Sequence, residues 1–96
     1  MKNISASELK VWMQQQRVFA LVDVREEWEH TAFNIGGKNI PLGELIQRKT
    51  EIDPNRPVVV YCEKGVRSVI AIQRLGQHGF MSLYNLKGGM SAWRDQ

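Results

Sequence analysis

Apolar positions change their period several times along the 96-residue chain, and each change marks an element. Near the N-terminus, Ser5-Ala6-Ser7-Glu8 has the form of a capping box, with Ile4 and Leu9 placed as its hydrophobic staple. Leu9, Trp12 and Met13 then share one helical face, and the polar run Gln14-Gln15-Gln16-Arg17 closes that helix. Phe19-Ala20-Leu21-Val22 is apolar without alternation, the pattern of a strand buried on both faces, and it runs into Asp23-Val24-Arg25. Glu26 to His30 predicts a brief helical turn. Asn34-Ile35-Gly36-Gly37 is irregular, and Lys38-Asn39-Ile40 reads as a short strand stopped by Pro41.

Leu42 to Lys49 predicts a helix that turns Leu42, Leu45 and Ile46 inward. Asp53-Pro54-Asn55-Arg56-Pro57 is turn chemistry ahead of Val58-Val59-Val60-Tyr61, a second continuously apolar strand. From Val66 the apolar residues Val69, Ile70 and Leu75 recur at helical spacing, with Gly76 or Gly79 as the stop. Ser82 to Leu86 alternates like a strand, Gly88-Gly89 breaks it, and Met90 to Arg94 forms a last helical turn or two. Strands alternating with helices predict βαβ units: one α/β domain over residues 1–96, a mainly parallel sheet with helices on both faces. Ligands of such sheets bind beyond the carboxyl ends of the strands, where Asp23 and Cys62 both fall.

Composition narrows the function classes. The chain is 43% hydrophobic and 24% charged, ordinary for a globular domain, and no apolar run approaches the roughly 18–20 residues that span a membrane. Its formal charge of +3 is dispersed, with no basic stripe interleaved with aromatic residues, so a solvated surface is expected rather than nucleic-acid binding. His30, His78 and Cys62 lack metal-ligand spacing, and neither metal nor cofactor is expected. A single cysteine closes no intrachain disulfide and fits a reducing, cytoplasmic setting. Trp12, Trp28 and Trp93 lie on amphipathic stretches and are expected to pack, Trp93 by anchoring the last helix.

The candidate chemistry sits in Cys62-Glu63-Lys64-Gly65-Val66-Arg67-Ser68. A buried strand delivers one thiol into a glycine-containing loop that turns into a helix. Loop amides, the helix N-terminus, Lys64 and the Arg67 guanidinium all favour negative charge there, a setting for a thiolate nucleophile. Gly65 permits the backbone angles that turn amides inward.

Four segments give the chain a resemblance to the single-domain rhodaneses, sulfurtransferases with an active-site cysteine. They are Leu21-Val22-Asp23-Val24-Arg25-Glu26, Asn39-Ile40-Pro41-Leu42, the loop Cys62 to Ser68, and Leu86-Lys87-Gly88-Gly89-Met90-Ser91-Ala92-Trp93. The resemblance implies a three-layer fold with a five-stranded, mainly parallel sheet, and Cys62 as the nucleophile that becomes a persulfide. It further implies that amides from Glu63 to Arg67 hold the persulfide, that Arg67 attracts the sulfonate of thiosulfate, and that Asp23 and Arg25 brace the loop. Where many relatives carry a histidine in Gly-His-Ile, this chain has Thr31-Ala32-Phe33-Asn34-Ile35, and His30 is displaced into a surface or capping role. Glu63 stands where relatives active on thiosulfate often carry a basic residue, and an acid beside the thiol repels a dianion.

The segment Asn34 to Leu45 resembles rhodanese domains attached to the adenylating enzymes of sulfur-carrier pathways. That implies a small sulfur-containing anion or a protein persulfide as donor, and a sulfur-carrier protein or adenylating enzyme as partner. Related cysteine phosphatases place five residues between cysteine and arginine, whereas Cys62 and Arg67 enclose four, a ring better suited to one sulfur atom than to phosphate. A redox-sensing or binding module on the same fold is the alternative.

Overall fold

The computed structural model describes residues 1–96. Five strands form one sheet: β1 (Lys2–Ile4), β2 (Ala20–Asp23), β3 (Lys38–Asn39), β4 (Val58–Tyr61) and β5 (Leu83–Leu86). Every pairing is parallel, and the order across the sheet is β1-β5-β4-β2-β3. Helices α1 (Ala6–Gln14), α2 (Glu27–Ala32), α3 (Val66–Gly76) and α4 (Gly89–Arg94) connect and follow the strands. No helix is long and apolar enough to cross a membrane.

The unalternating run of β4 has the double burial it predicts. Val58 and Val60 enter one cluster with Val22, Val24, Ala71, Ile72 and Leu75. Val59 and Tyr61 enter the opposite one with Ile4, Leu9, Leu86 and Met90, against which Trp12 and Trp93 pack. All four β4 residues are at most 1% exposed. The α1 start also forms as expected: Ser5 Oγ accepts from the Glu8 N–H at 3.1 Å, and Glu8 Oε1 accepts from the Ser5 N–H at 2.9 Å. The closing polar run ends it, with Gln16 in the left-handed region at φ 54°.

Three sequence expectations are corrected. Leu42 to Lys49 is not an α-helix. It is a 3₁₀ turn at Leu42–Glu44 and another at Lys49–Glu51, tied by i→i+3 bonds such as Glu44 N–H to Pro41 O at 2.8 Å. Its apolar positions still face inward, since Leu45 is buried and Leu42 and Ile46 pack against the core; Gly43 so close to Pro41 leaves little helix propensity to extend the first turn. In α3 the buried stripe is Ser68, Ala71, Ile72 and Leu75, an i, i+3, i+4, i+7 set, with Ile70 exposed and Val69 half-buried. Trp28 does not enter the core: it is 73% exposed on α2, a helix that fully buries none of its residues. Strand β1 escaped the pattern because only Ile4 of its three residues is buried, and it exists through its ladder to β5.

Candidate active site

Adjacent carboxyl ends of β2, β4 and β5 converge on Cys62. Asp23 lies opposite Tyr61 in the β2–β4 register, and the Val24 N–H donates to Tyr61 O at 3.0 Å, which sets Arg25 beside the loop that follows β4. Cys62 Sγ accepts from the Gly65 N–H at 3.1 Å and the Ser68 N–H at 3.3 Å. Gly65, at φ +94°, caps α3 in a conformation that favours glycine, so the amide bond to sulfur depends on a residue without Cβ. Of the five amides from Glu63 to Arg67, only that of Gly65 bonds Sγ. Those of Val66 and Arg67, in the first turn of α3, form no hydrogen bond within the protein.

Behind the sulfur lies a polar chain that the sequence did not signal. The thiol donates to Ser68 Oγ at 3.4 Å, Ser68 Oγ donates to Asn85 Oδ1 at 2.5 Å, and Asn85 Nδ2 donates to Asn3 Oδ1 at 3.2 Å. The one available hint was a polar residue, Asn85, between the apolar positions of β5.

A second set of contacts fixes the loop from in front. Glu63 Oε1 accepts from Arg25 Nη1 at 3.3 Å, and both Glu63 oxygens receive Arg94. Arg94 first, and Arg25 with it, hold the Glu63 carboxyl below its ordinary range. The acid next to the thiol in sequence thus faces two guanidinium groups, and the repulsion expected of it is offset. Arg25 is itself buried, donating to Asp23 at 2.9 Å and to Phe33 O at 2.6 Å. Burial opposes its charge, but the Asp23 hydrogen bond and negative charge outweigh that and raise its pKa. His30 Nδ1 lies 2.8 Å from Asp23 Oδ2 and Asn39 Nδ2 donates to the carbonyls of Asp23 and Arg25, so the displaced histidine belongs to this cluster rather than to the surface.

Arg67 stands at the cleft but its guanidinium is already engaged. It lines a cleft of about 310 Å³ with Cys62, Glu63, Lys64, Val66 and Glu29, but its two terminal nitrogens are held by Glu29 at 2.6 and 2.9 Å. Lys64 and Val66 are exposed at the rim, and Lys64 has no ion pair. Glu29 lies 38 residues before Arg67, on a helix too short to reveal a pattern, and no spacing rule points to it. A larger hollow, about 630 Å³, lies along α2 between Glu26, Glu27, Trp28, Thr31 and Ala32, and does not include Cys62. No group of three or more His, Cys, Asp or Glu side chains converges as a metal ligand set.

Arg67 first, then the Glu26 N–H and the positive charges of Arg67 and Arg25, depress the Glu29 pKa from 4.5 to about 2. A carboxylate stabilised on folding contributes stability above its unfolded pKa and loses it as pH falls through the folded one. The domain should therefore lose stability as pH drops from about 4.5 toward 2, with a shallower slope in Glu29→Gln. Urea midpoints across that range measure it, and parallel slopes for the two proteins would contradict it.

A parallel α/β sheet carrying a single thiol from the end of its central strand into an amide-lined loop defines a cysteine-centred domain with its site at the strand ends. The rhodanese-like domain family model matches residues 5–96, and the chain belongs to that family. Its sheet and helices also superpose on a rhodanese-like domain protein from Staphylococcus aureus with a TM-score of 0.90 and 31% identity, covering 97% of this chain and 91% of that one. The uncharacterized protein YqhL of Bacillus subtilis is 42% identical over 97% of this chain and 72% of its own length. The probable adenylyltransferase/sulfurtransferase MoeZ of Mycobacterium tuberculosis is 33% identical, over 97% of this chain but only 24% of its own. The thiosulfate sulfurtransferase GlpE of Coxiella burnetii is 29% identical over 92% of this chain and 84% of its own.

Proposed function

We propose that the protein is a sulfurtransferase that carries sulfane sulfur as a persulfide on Cys62. The observation that carries the reading is the seating of the buried Sγ on the Gly65 and Ser68 amides, with Val66 and Arg67, whose amides are unpaired, lining the same cleft. Unpaired amides in the cleft lining are the kind of donor that one further anionic atom, a second sulfur, requires. The Cys62 thiolate attacks the outer sulfur of the donor. With thiosulfate, the sulfur–sulfur bond breaks, sulfite leaves with the bonding pair, and Cys62 keeps the transferred sulfur as a perthiolate.

A nucleophilic acceptor then takes that outer sulfur and returns Cys62 as thiolate; cyanide leaves as thiocyanate. The two half-reactions share no ternary complex, so steady-state kinetics should be ping-pong. Asp23 and Arg25 brace the loop through Glu63 and the Phe33 carbonyl and take no part in bond making. The names of the MoeZ and GlpE relatives support sulfur transfer as the class. The adenylyltransferase in the MoeZ name supports an adenylating enzyme as partner, and the name of a further relative, the putative sulfur carrier protein YrkF of Bacillus subtilis, supports a sulfur carrier.

The test is intact mass after incubation with thiosulfate, with 3-mercaptopyruvate and with a persulfidated cysteine desulfurase. One added sulfur atom that cyanide removes is the expected result. No added sulfur from any donor would replace this reading with a sensing or binding module.

A further inference from the structure

We infer that Glu29 determines donor specificity by holding Arg67, so that the cleft selects a sulfane sulfur of low charge, such as a persulfide on a thiol, over an inorganic dianion. The inference rests on the sulfurtransferase reading and concerns which donor that site accepts. Glu29 is anchored before any substrate arrives: its Oε1 accepts the Glu26 N–H at 3.0 Å at the start of α2, and the carboxylate then meets both terminal nitrogens of Arg67. The pairing is the two-pronged geometry a sulfonate would need, so a sulfonate must displace two charge-assisted bonds to gain its own.

The other charges around the sulfur leave little to attract a dianion. Within the cleft lining Glu29 occupies Arg67, while the Glu63 carboxylate is turned to Arg94 and Arg25. Arg94 and Arg25 stand behind but are engaged by Glu63 and Asp23, which leaves Lys64 as the one lining cation without a carboxylate partner. A thiol persulfide, R–S–SH, needs no such cation. The Cys62 thiolate takes its outer sulfur, the S–S bond breaks, R–S⁻ leaves with the electron pair, and the charge of minus one is the same on both sides.

Glu29 is thus a positioning residue that acts through Arg67. The test compares two donors of the same transferable atom that differ by one charge: thiosulfate, a dianion, and benzenethiosulfonate, a monoanion that releases benzenesulfinate. With cyanide as acceptor, the wild-type chain should show kcat/KM higher for the monoanion by about tenfold or more. Glu29→Gln keeps an oxygen acceptor for the Glu26 amide and should retain the fold. It should lower the thiosulfate KM about tenfold while kcat and the monoanion KM move by no more than about twofold. In Glu29→Gln combined with Arg67→Ala that gain should vanish.

An unchanged thiosulfate KM in Glu29→Gln overturns the inference. So does an equal gain without Arg67, or a wild-type preference for the dianion. In each of these cases the monoanion still loads Cys62, and the sulfurtransferase reading stands. Failure of every donor to place sulfur on Cys62 defeats both together.

Discussion

Cys62→Ser is expected to abolish sulfur transfer by more than about 10⁴-fold while leaving the fold intact. The substituted hydroxyl is smaller than the thiol and can accept from the same Gly65 and Ser68 amides, so the loop loses no hydrogen-bond partner. What it loses is the chemistry. A serine hydroxyl at neutral pH is un-ionised, and its oxygen does not form the chain of sulfur atoms that stores the transferred group. Melting temperature, thiosulfate–cyanide turnover and intact mass are the three readouts. The chain has no second cysteine, so sulfur retained by the variant cannot be explained by another thiol. Sustained turnover in a folded Cys62→Ser protein would sink the covalent mechanism.

Gly89→Ala should damage the site from a position that never touches the sulfur. Gly89 adopts φ +59°, and a Cβ built there lies 2.4 Å from Cys62 O and 2.6 Å from Glu63 O. The left-handed backbone alone costs a residue with Cβ about 1–2 kcal/mol. Clearing the two carbonyls means pulling α4 off the loop, which breaks the Met90 N–H to Cys62 O and Ser91 N–H to Glu63 O bonds, both 2.9 Å, at about 1 kcal/mol each. The total of about 3–4 kcal/mol is a large part of the roughly 5–15 kcal/mol that holds a domain folded. Melting temperature should fall by at least about 12 °C. Residual transfer activity, measured well below the new midpoint, should fall further than stability predicts, because the displaced carbonyls belong to the catalytic loop itself. A variant with normal melting and normal turnover would show that the approach of α4 to the loop is not a constraint.

How much of this was legible in the sequence follows from distance along the chain. The central strand, the glycine at the loop bend and the helix after it lie within about twenty consecutive residues, and local pattern sufficed for them. The α1 cap was readable for the same reason. Glu29, Asn85 and Arg94 were not, because the order β1-β5-β4-β2-β3 brings together segments that are 17 to 38 residues apart. Glu63 shows the limit from the other side. Sequence adjacency suggested that its charge acts on the thiol, whereas the fold turns the carboxylate to Arg94 and Arg25. Trp28 is misleading in the sequence because hydrophobicity alone does not say whether a six-residue helix has anything to pack against.

The bond from Asn85 to Asn3 spans 82 residues, and β1 pairs with β5 alone. In the language of folding kinetics, these are contacts of very long sequence separation, whose loop-closure entropy must be met before they add stability. The segment they secure, β5 with α4, is also the one whose amides grip the carbonyls of Cys62 and Glu63. A refolding chain should therefore acquire its central strand and thiol early and a competent sulfur site only in its slowest phase. Activity regained after dilution from denaturant would then lag the recovery of helical signal.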